Sequence, residues 1–209
     1  MSFHFNFKSI LAQRQKSIFS ATMVLAITFL ISALLGFLRT RFLYSAFFKC
    51  CVLELDAYNA AFRIPDLIFK LLVTGALSAS FIPVFSSLLH KNKKEAYLTA
   101  SAVINLLLVV FIIISIFAFI FVTPLSRIIA KGFSSEQIRL MANLTRILLL
   151  AQIFFLISNF LTAILQVKQN FLLPALSPII YNLAIIISIF ILTPLFGIRG
   201  VVYGAVIGA

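Results

Sequence analysis

The sequence predicts an all-α fold, a polytopic bundle of transmembrane helices with five full spans and an incomplete sixth. Hydrophobic residues make up 63% of the 209 residues and charged residues 11%, whereas an ordinary soluble domain is about 45–50% apolar and about 25% charged. The apolar residues also form runs long enough to cross a bilayer, separated by short charged patches. An ordinary soluble domain is therefore excluded.

The chain divides into a basic interfacial segment at 1–16 and a transmembrane domain at 17–209. The first segment mixes phenylalanine with lysine and arginine, a composition typical of a segment that lies on a membrane surface. Hydropathy and length place the spans approximately at 17–41, 57–89, 98–122, 138–165, 172–195 and, incomplete, 198–209. Because the sequence stops inside the sixth apolar run, we expect it to be an N-terminal fragment of a longer protein.

Span one is an apolar run that ends at Arg39 and Arg41. These arginines either snorkel to lipid phosphates or face a cavity. The apolar residues after them, 42–52, either prolong the helix or lie at the interface. A disulfide between the adjacent Cys50 and Cys51 would be strained, so no cross-link is expected there.

Span two carries a row of polar residues that we call the polar stripe. Its members follow one another at steps of three or four, which places them on one side of a helix. They are Asp56, Asn59, Arg63, Asp66, Lys70 and Thr74. Pro65 lies within the same helix and is expected to kink it, freeing backbone groups that polar neighbours or water must satisfy.

The remaining spans carry fewer polar residues. Span three has no charge over 98–122 and is expected to be structural, and residues 134–136 resemble a cap for the next helix. In span four, Gln152 and Asn159 are one heptad apart and share a face, where we expect interhelical hydrogen bonds. Near the start of span five, Asn182 follows a proline by one turn. In the sixth segment glycine recurs every four residues, the spacing that lets two membrane helices approach closely, at Gly200, Gly204 and Gly208.

The orientation in the membrane depends on one loop. Residues 90–95 form a short and strongly basic connection, which is the best candidate for a cytoplasmic loop by the positive-inside rule. The N-terminus is then cytoplasmic too. The lysines and arginines of all connections together divide evenly between the two sides, so this compact cluster decides the orientation.

The charges inside span two indicate transport. An uncompensated charge at the bilayer centre costs about 2.5–3.5 kcal/mol, so Arg63, Asp66 and Lys70 either neutralise one another along the helix or face a water-filled cavity. The charges of the polar stripe cancel, and Arg39 and Arg41 would then make the cavity surface positive. Such a surface suits a phosphate or pyrophosphate headgroup, which guanidinium groups bind in a bidentate manner.

Other classes of function lack the residues that they need. Five acidic residues and two distant histidines, without a glycine-rich phosphate loop or a nucleophile elbow, do not indicate an enzyme. No metal or other cofactor is expected, since there is no Cys/His cluster. The net charge is +12, but the basic residues lie between or within apolar spans. They do not alternate with aromatic residues as they do on an RNA-binding surface. Anionic membrane lipid is therefore the expected partner, and nucleic acid is not.

Several short motifs keep their order and spacing across nearly the whole chain. They lie at 35–39, 56–57, 61–67, 75–78, 81–83, 132–133 and 174–182. In these motifs the sequence resembles the MurJ (MviN) family of lipid II flippases, in the multidrug/oligosaccharidyl-lipid/polysaccharide exporter superfamily. The resemblance implies a helical protein of two lobes around a central cationic cavity, of which this chain would supply the first lobe.

The resemblance also implies an activity. It is the movement of lipid II, the undecaprenyl-pyrophosphate-linked peptidoglycan precursor, across the bacterial cytoplasmic membrane by alternating access. The implied partners are lipid II, membrane lipids and a C-terminal lobe of the same protein. A related polysaccharide-lipid exporter or a drug/cation antiporter of the same superfamily is the alternative. An antiporter needs a carboxylate deep in the bundle, for which Asp66 is the candidate.

Roles for individual residues follow from the same resemblance. Arg39 matches a cavity arginine that engages the pyrophosphate, Asp56 a functional acid, and Arg63 a basic position ahead of the proline. The implied pyrophosphate site comprises Arg39, Arg41, Arg63 and Lys70, with Asp56 and Asp66 as functional acids. The sequence departs from the family pattern at Ala33, Thr40, Phe69 and Thr74. We expect Arg41 to compensate for an arginine that many members have at position 33.

Overall fold

The computed structural model describes residues 18–209, without the side chains of residues 18–21, 74, 76, 78 and 79. Every regular element in this part of the chain is helical. The α-helices are α1 Ile18–Phe47, α2 Val52–Ala61, α3 Arg63–Phe69, α4 Ile82–Lys91, α5 Lys93–Ile120, α6 Val122–Ile129, α7 Ser135–Val167, α8 Leu172–Ile191, α9 Thr193–Phe196 and α10 Ile198–Gly208. Two π-helical segments, Lys70–Thr74 and Ala76–Phe81, lie between α3 and α4. The basic segment predicted at 1–16 lies outside the described residues.

Four helices of the described chain are long and apolar enough to cross a membrane, namely Thr22–Phe47 of α1 together with α5, α7 and α8. Large apolar side chains on these helices, such as Phe29, Ile113 and Phe190, are more than half exposed, as expected of surfaces that contact lipid tails. The all-α polytopic fold is confirmed. The second predicted span consists of the shorter segments from α2 to α4, and the sixth is α10.

Helix α1 continues without a break to Phe47. The apolar residues after Arg41 therefore prolong the helix, which is one of the two predicted alternatives. In the connection to α2, a disulfide joins Cys50 and Cys51, so the expectation of no cross-link is wrong. The backbone at Cys51 leaves the helical conformation, with φ of −144° and ψ of 45°, and this break lets the two neighbouring sulfur atoms turn toward each other.

The second span contains a break that Pro65 explains. Phe62 separates α2 from α3. Because proline has no N–H, Pro65 cannot donate a hydrogen bond to the carbonyl of Ala61, four residues earlier. The hydroxyl of Thr145 in α7 donates to this carbonyl instead, at 3.1 Å in a buried position. The prediction that a polar neighbour satisfies the freed group is confirmed.

Beyond α3 the second span changes from α-helix to π-helix. The buried side chains here follow one another at steps of four, at Val73, Leu77, Phe81 and Phe85. In an α-helix with about 3.6 residues per turn, each step of four drifts around the axis by about 40°. Hydrogen bonds between residues five apart make a wider turn, which keeps the row on one side. There Phe81 packs against Phe160 of α7, with a ring distance of 4.3 Å.

Helix α7, with 33 residues, is the centre of the bundle and contacts α2 to α6, α8 and α10. It begins with a capping box, in which the backbone N–H of Gln137 donates to the Ser134 hydroxyl at 3.3 Å and the backbone N–H of Ser134 donates to the Gln137 side chain at 3.0 Å. One buried cluster joins α7 to α1, α2, α8 and α10, and a second joins it to α4, α5 and the π-helical segments.

Helix α10 approaches α8 closely through glycine. A Cβ atom at Gly204 would overlap the side chain of Ser188 in α8. A Cβ atom at Gly200 would lie 2.6 Å from the carbonyl oxygen of Leu192, just beyond the end of α8. The close helix approach predicted from the glycine repeat is confirmed.

Candidate functional site

A cavity of about 500 Å³ lies between α1, α2, α3, α7 and α8. Each of these helices contributes a polar side chain to its lining. The polar lining residues are Arg39, Tyr58, Asn59, Asp66, Gln152, Asn159 and Tyr181. Phe62, Phe69 and Phe155 are among the apolar residues that complete the wall. We call this space the polar cavity.

Helix α1 brings Arg39 to the polar cavity and not Arg41. Arg39 is half-buried, and its Cζ atom lies 5.9 Å from the centroid of the Tyr181 ring, within the range of a cation–π interaction. Arg41 is exposed and does not line the cavity. Two positions along an α-helix rotate a side chain by about 200°, so the two guanidinium groups leave α1 on different sides.

The polar stripe lies along the accessible side of α2 and α3. Asn59 and Asp66 line the polar cavity, whereas Asp56, Arg63 and Lys70 are exposed. The opposite side of these two helices is buried against the rest of the bundle. The members whose side chains the structure describes therefore share one accessible side, as the sequence predicts.

Asp66 has its hydrogen-bond partner on another helix. Nε2 of Gln152 in α7 donates to Oδ1 of Asp66 at 3.0 Å, which confirms the interhelical role predicted for Gln152. Asn159, one heptad later, instead donates to the carbonyl of Phe155 in its own helix at 2.9 Å. The carboxylate is thus held at the cavity wall by a neutral donor, and Lys70, four residues after it, stays exposed.

Replacing Gln152 with leucine should destabilise the protein by about 1 kcal/mol, because Asp66 loses its donor in a half-buried position. The thermal unfolding midpoint in detergent would measure this change. Asn159→Leu is the matched control, because the Asn159 amide donates its hydrogen bond within α7. This variant should shift the unfolding midpoint much less. Equal shifts for the two variants would show that the Gln152–Asp66 hydrogen bond contributes nothing of its own.

A hydrogen bond between α1 and α8 positions the helix that carries Arg39. Nδ2 of Asn182 donates to the backbone carbonyl of Ser32 at 3.1 Å and to the Ser32 hydroxyl at 3.3 Å. Gly36, one turn along α1, lies beside this amide, and a Cβ atom there would be at an ordinary contact distance of 3.8 Å from Nδ2. Asn182 is buried and does not line the polar cavity, so its amide has a structural role in the contact between α1 and α8.

Two tyrosines of the polar cavity were not predicted. The ring of Tyr58 meets Phe62 edge to face at 5.1 Å, and the ring of Tyr181 meets Phe155 in the same way at 5.1 Å. Tyr181 lies in an otherwise largely apolar helix and Tyr58 lies between Asp56 and Asn59 of the polar stripe; each position was a signal in the sequence, because a buried phenol hydroxyl needs a polar neighbour.

The charge of the polar cavity is balanced. Among its described lining residues, Arg39 is the one cation and Asp66 the one anion. Arg63 and Lys70 stand on the exposed side of the same stripe, outside the lining. A net positive surface therefore requires at least one cation from outside the lining.

Comparisons with known proteins agree on one family. The family model described as lipid II flippase MurJ matches residues 49–209. A probable lipid II flippase MurJ of Borreliella burgdorferi is 28% identical over 193 residues, which cover 92% of this chain and 37% of the relative. Its counterpart in Buchnera aphidicola subsp. Baizongia pistaciae is 34% identical over 187 residues, which cover 87% of this chain and 35% of the relative.

Solved structures show the same fold. A lipid II flippase MurJ in an inward closed conformation superposes with a TM-score of 0.73 at 29% sequence identity, over 89% of this chain and 39% of that one. A transporter of the MOP superfamily from Pyrococcus furiosus superposes with a TM-score of 0.58 at 19% identity, over 96% of this chain and 43% of that one, which shows a likeness of fold alone.

The chain spans 35% to 37% of the length of the two relatives and 39% of the solved MurJ chain. The family match nevertheless covers most of the sequence, including α2 to α10. Together with the four helices long enough to cross a membrane, it confirms the resemblance predicted from the motifs. The chain belongs to the lipid II flippase MurJ family and is a multi-pass protein of the bacterial cytoplasmic membrane.

Proposed function

We propose that the chain acts in the transport of lipid II, moving the undecaprenyl-pyrophosphate-linked peptidoglycan precursor across the cytoplasmic membrane by alternating access. It would do so as one lobe that works against a C-terminal lobe, as a transporter and not as an enzyme. The observation that carries the proposal is the half-buried Arg39 at the polar cavity, in a chain of the MurJ family.

The pyrophosphate would be bound by cations from α1 and the polar stripe. The guanidinium of Arg39 is planar and can donate two parallel hydrogen bonds to phosphate oxygens. Arg63 and Lys70 are seven residues apart, about two helical turns, and both are exposed on the side that carries Asp66. A headgroup at the mouth of the cavity could therefore contact all three cations. Arg41, on another side of α1, would join them only after a rotation of that helix.

Alternating access requires that the cavity wall can move. Helix α1 is held to α8 by the hydrogen bonds between Asn182 and Ser32, which can be exchanged without unfolding either helix. The second span departs from regular α-helix at the break of Phe62 and in the π-helical segments, and π-helical turns are frequent at functional sites. These features support a moving wall formed by the first two spans.

The deciding experiment is complementation in a bacterium depleted of its own lipid II flippase, using the protein expressed from its complete gene. Wild type should restore growth and the appearance of lipid II on the outer face of the membrane. At equal expression, Asp56→Ala and Lys70→Ala should each reduce both readouts, whereas Lys131→Ala, an exposed lysine away from the polar cavity, should not. Failure of wild type, or full activity of both stripe variants, would overturn the proposal.

The cation antiporter remains the second candidate because a carboxylate, Asp66, lines the cavity. Under the flippase proposal, Asp66→Asn should leave lipid II transport within about twofold of wild type, since the amide oxygen can still accept the hydrogen bond from Gln152. Transport of lipid II measured in the complementing strain checks this. Abolished lipid II transport would instead show that the Asp66 charge is required, as in a cation-coupled transporter, whereas a drug/cation antiporter would not restore lipid II transport even as wild type.

A further inference from the structure

A second cavity, of about 440 Å³, is lined by three arginines. Arg127 comes from the last turn of α6, and Arg139 and Arg146 come from α7. We call it the arginine pocket. It shares no lining residue with the polar cavity, so it is not part of the proposed pyrophosphate site.

The fold brings the three guanidinium groups to one place. Arg139 and Arg146 are seven residues apart and therefore lie on nearly the same side of α7. Helix α6 packs against α7 through its buried residues Val122 and Ser126, which leaves Arg127 exposed toward the pocket. The positions of the three arginines are fixed by two packed helices and a capped helix start, so the pocket is part of the ordered bundle.

The described residues that line the arginine pocket do not offset its positive charge. Among the described residues that line it, none is acidic. Arg146 is half-buried about 16 Å along α7 from Ser135, and its partners are neutral. Its Nη1 donates to Oδ1 of Asn143 at 3.0 Å, and its Cζ atom lies 5.4 Å from the Phe119 ring centroid. A guanidinium inside a membrane helix is costly without a counter-charge, so the site calls for an anionic ligand.

The position of the pocket identifies the class of anion. It lies at the end of α5, 28 residues or about 42 Å from the basic loop at 90–95, and the apolar side chains of Ile120 and Ile128 beside it are 64% and 66% exposed. Ile120 and Ile128 do not line the pocket, but they follow Phe119 and Arg127 directly in their helices, so a ligand at the guanidinium groups would have an exposed apolar surface nearby. In the orientation predicted from the sequence, these arginines also run against the positive-inside rule, which a bound anion would explain.

We propose that the arginine pocket binds the phosphate of an anionic membrane phospholipid, on the side of the membrane opposite the basic loop. The guanidinium groups would hold the phosphate oxygens, and the acyl chains would lie along the exposed apolar surface of α5 and α6. The bound lipid would offset part of the positive charge of the pocket and secure the connection between spans three and four.

Native mass spectrometry of the delipidated protein, expressed from its complete gene and titrated with phosphatidylglycerol, tests the proposal. Arg139→Gln/Arg146→Gln should weaken binding of phosphatidylglycerol about tenfold, because charge-assisted hydrogen bonds to phosphate are lost. The matched control is Lys131→Gln/Arg199→Gln, which removes the same charge from exposed positions outside the pocket and should change binding less than twofold. Equal weakening in both double variants would mean general charge attraction and would overturn the site.

Two further measurements keep the result interpretable. Inorganic phosphate is titrated in the same way: if it binds in an arginine-dependent manner and phosphatidylglycerol does not, the ligand is a free anion and the lipid assignment is wrong. Thermal unfolding midpoints check that the variants fold.

A single variant, Arg127→Gln, tests the pocket with less risk to folding, because Arg127 is exposed on a short helix. It should weaken lipid binding severalfold. Unchanged lipid binding in Arg127→Gln and in the double variant would overturn the proposal without affecting the proposed transport of lipid II.

Discussion

Arg39→Ala should lower lipid II transport at least about tenfold, because the loss of a charge-assisted contact to the pyrophosphate corresponds to about 1.5–3 kcal/mol. Arg39 is the cation that the structure brings into the polar cavity, beside the Tyr181 ring. The appearance of lipid II on the outer face of the membrane, in a strain that depends on this protein expressed from its complete gene, measures the loss.

Two companion variants give this result its meaning. Arg39→Lys keeps the charge but loses the planar pair of donors, so transport should fall to a value between wild type and Arg39→Ala. Arg199→Ala removes an exposed arginine outside the polar cavity and should leave transport unchanged. If Arg39→Ala transports as well as wild type at equal expression, Arg39 does not bind the headgroup.

Gly204→Leu should produce the largest loss of stability, about 1–3 kcal/mol or more, as expected when a close-packed contact is overfilled. The added side chain would begin inside the space of Ser188, so α10 would have to move away from α8. This would disturb the buried cluster that includes Val201, Val202 and Ala205. Unfolding of the purified protein in detergent, followed by circular dichroism, measures the effect.

Gly75→Leu is the matched control for the glycine contact. Gly75 has a helical backbone, with φ of −64°, and a Cβ atom there would meet nothing within 4 Å. The control should be nearly neutral or slightly stabilising, since glycine lowers helix propensity. A destabilisation as large as that of Gly204→Leu would show that glycine content, and not the approach of α10 to α8, determines stability.

The spans were predictable because the thickness of a bilayer sets how long an apolar run must be to cross it. Such runs can be recognised from the sequence without knowing how the helices pack. The polar stripe was predictable for a similar reason, since Asp56, Arg63 and Asp66 follow one helical period. The unpaired carbonyl that Pro65 leaves in its helix was also predictable, because proline always lacks the backbone N–H. That Thr145 would supply the donor was not, since the two residues are brought together only by the packing of α7.

Contacts between distant parts of the chain escaped prediction. The Gln152–Asp66 hydrogen bond joins residues 86 positions apart, and each residue alone is compatible with many partners. The different directions of Arg39 and Arg41 follow from helix geometry, but which of them faces a cavity depends on where α8 packs. The arginine pocket escaped because Arg127 and Arg139 belong to different helices, and only their packing brings them together.

Span two contains two helical registers, α up to Phe69 and π from Lys70 to Phe81 with a single residue between its two parts. A π turn holds more residues than an α turn, so the side chains of α4 face directions that an unbroken α-helix starting at Asp56 would not give them. Adding or deleting one residue in this segment would rotate α4 relative to the polar stripe. We expect relatives to vary in length at the turn around Asn92, between α4 and α5, and to conserve length between the stripe and the start of α4.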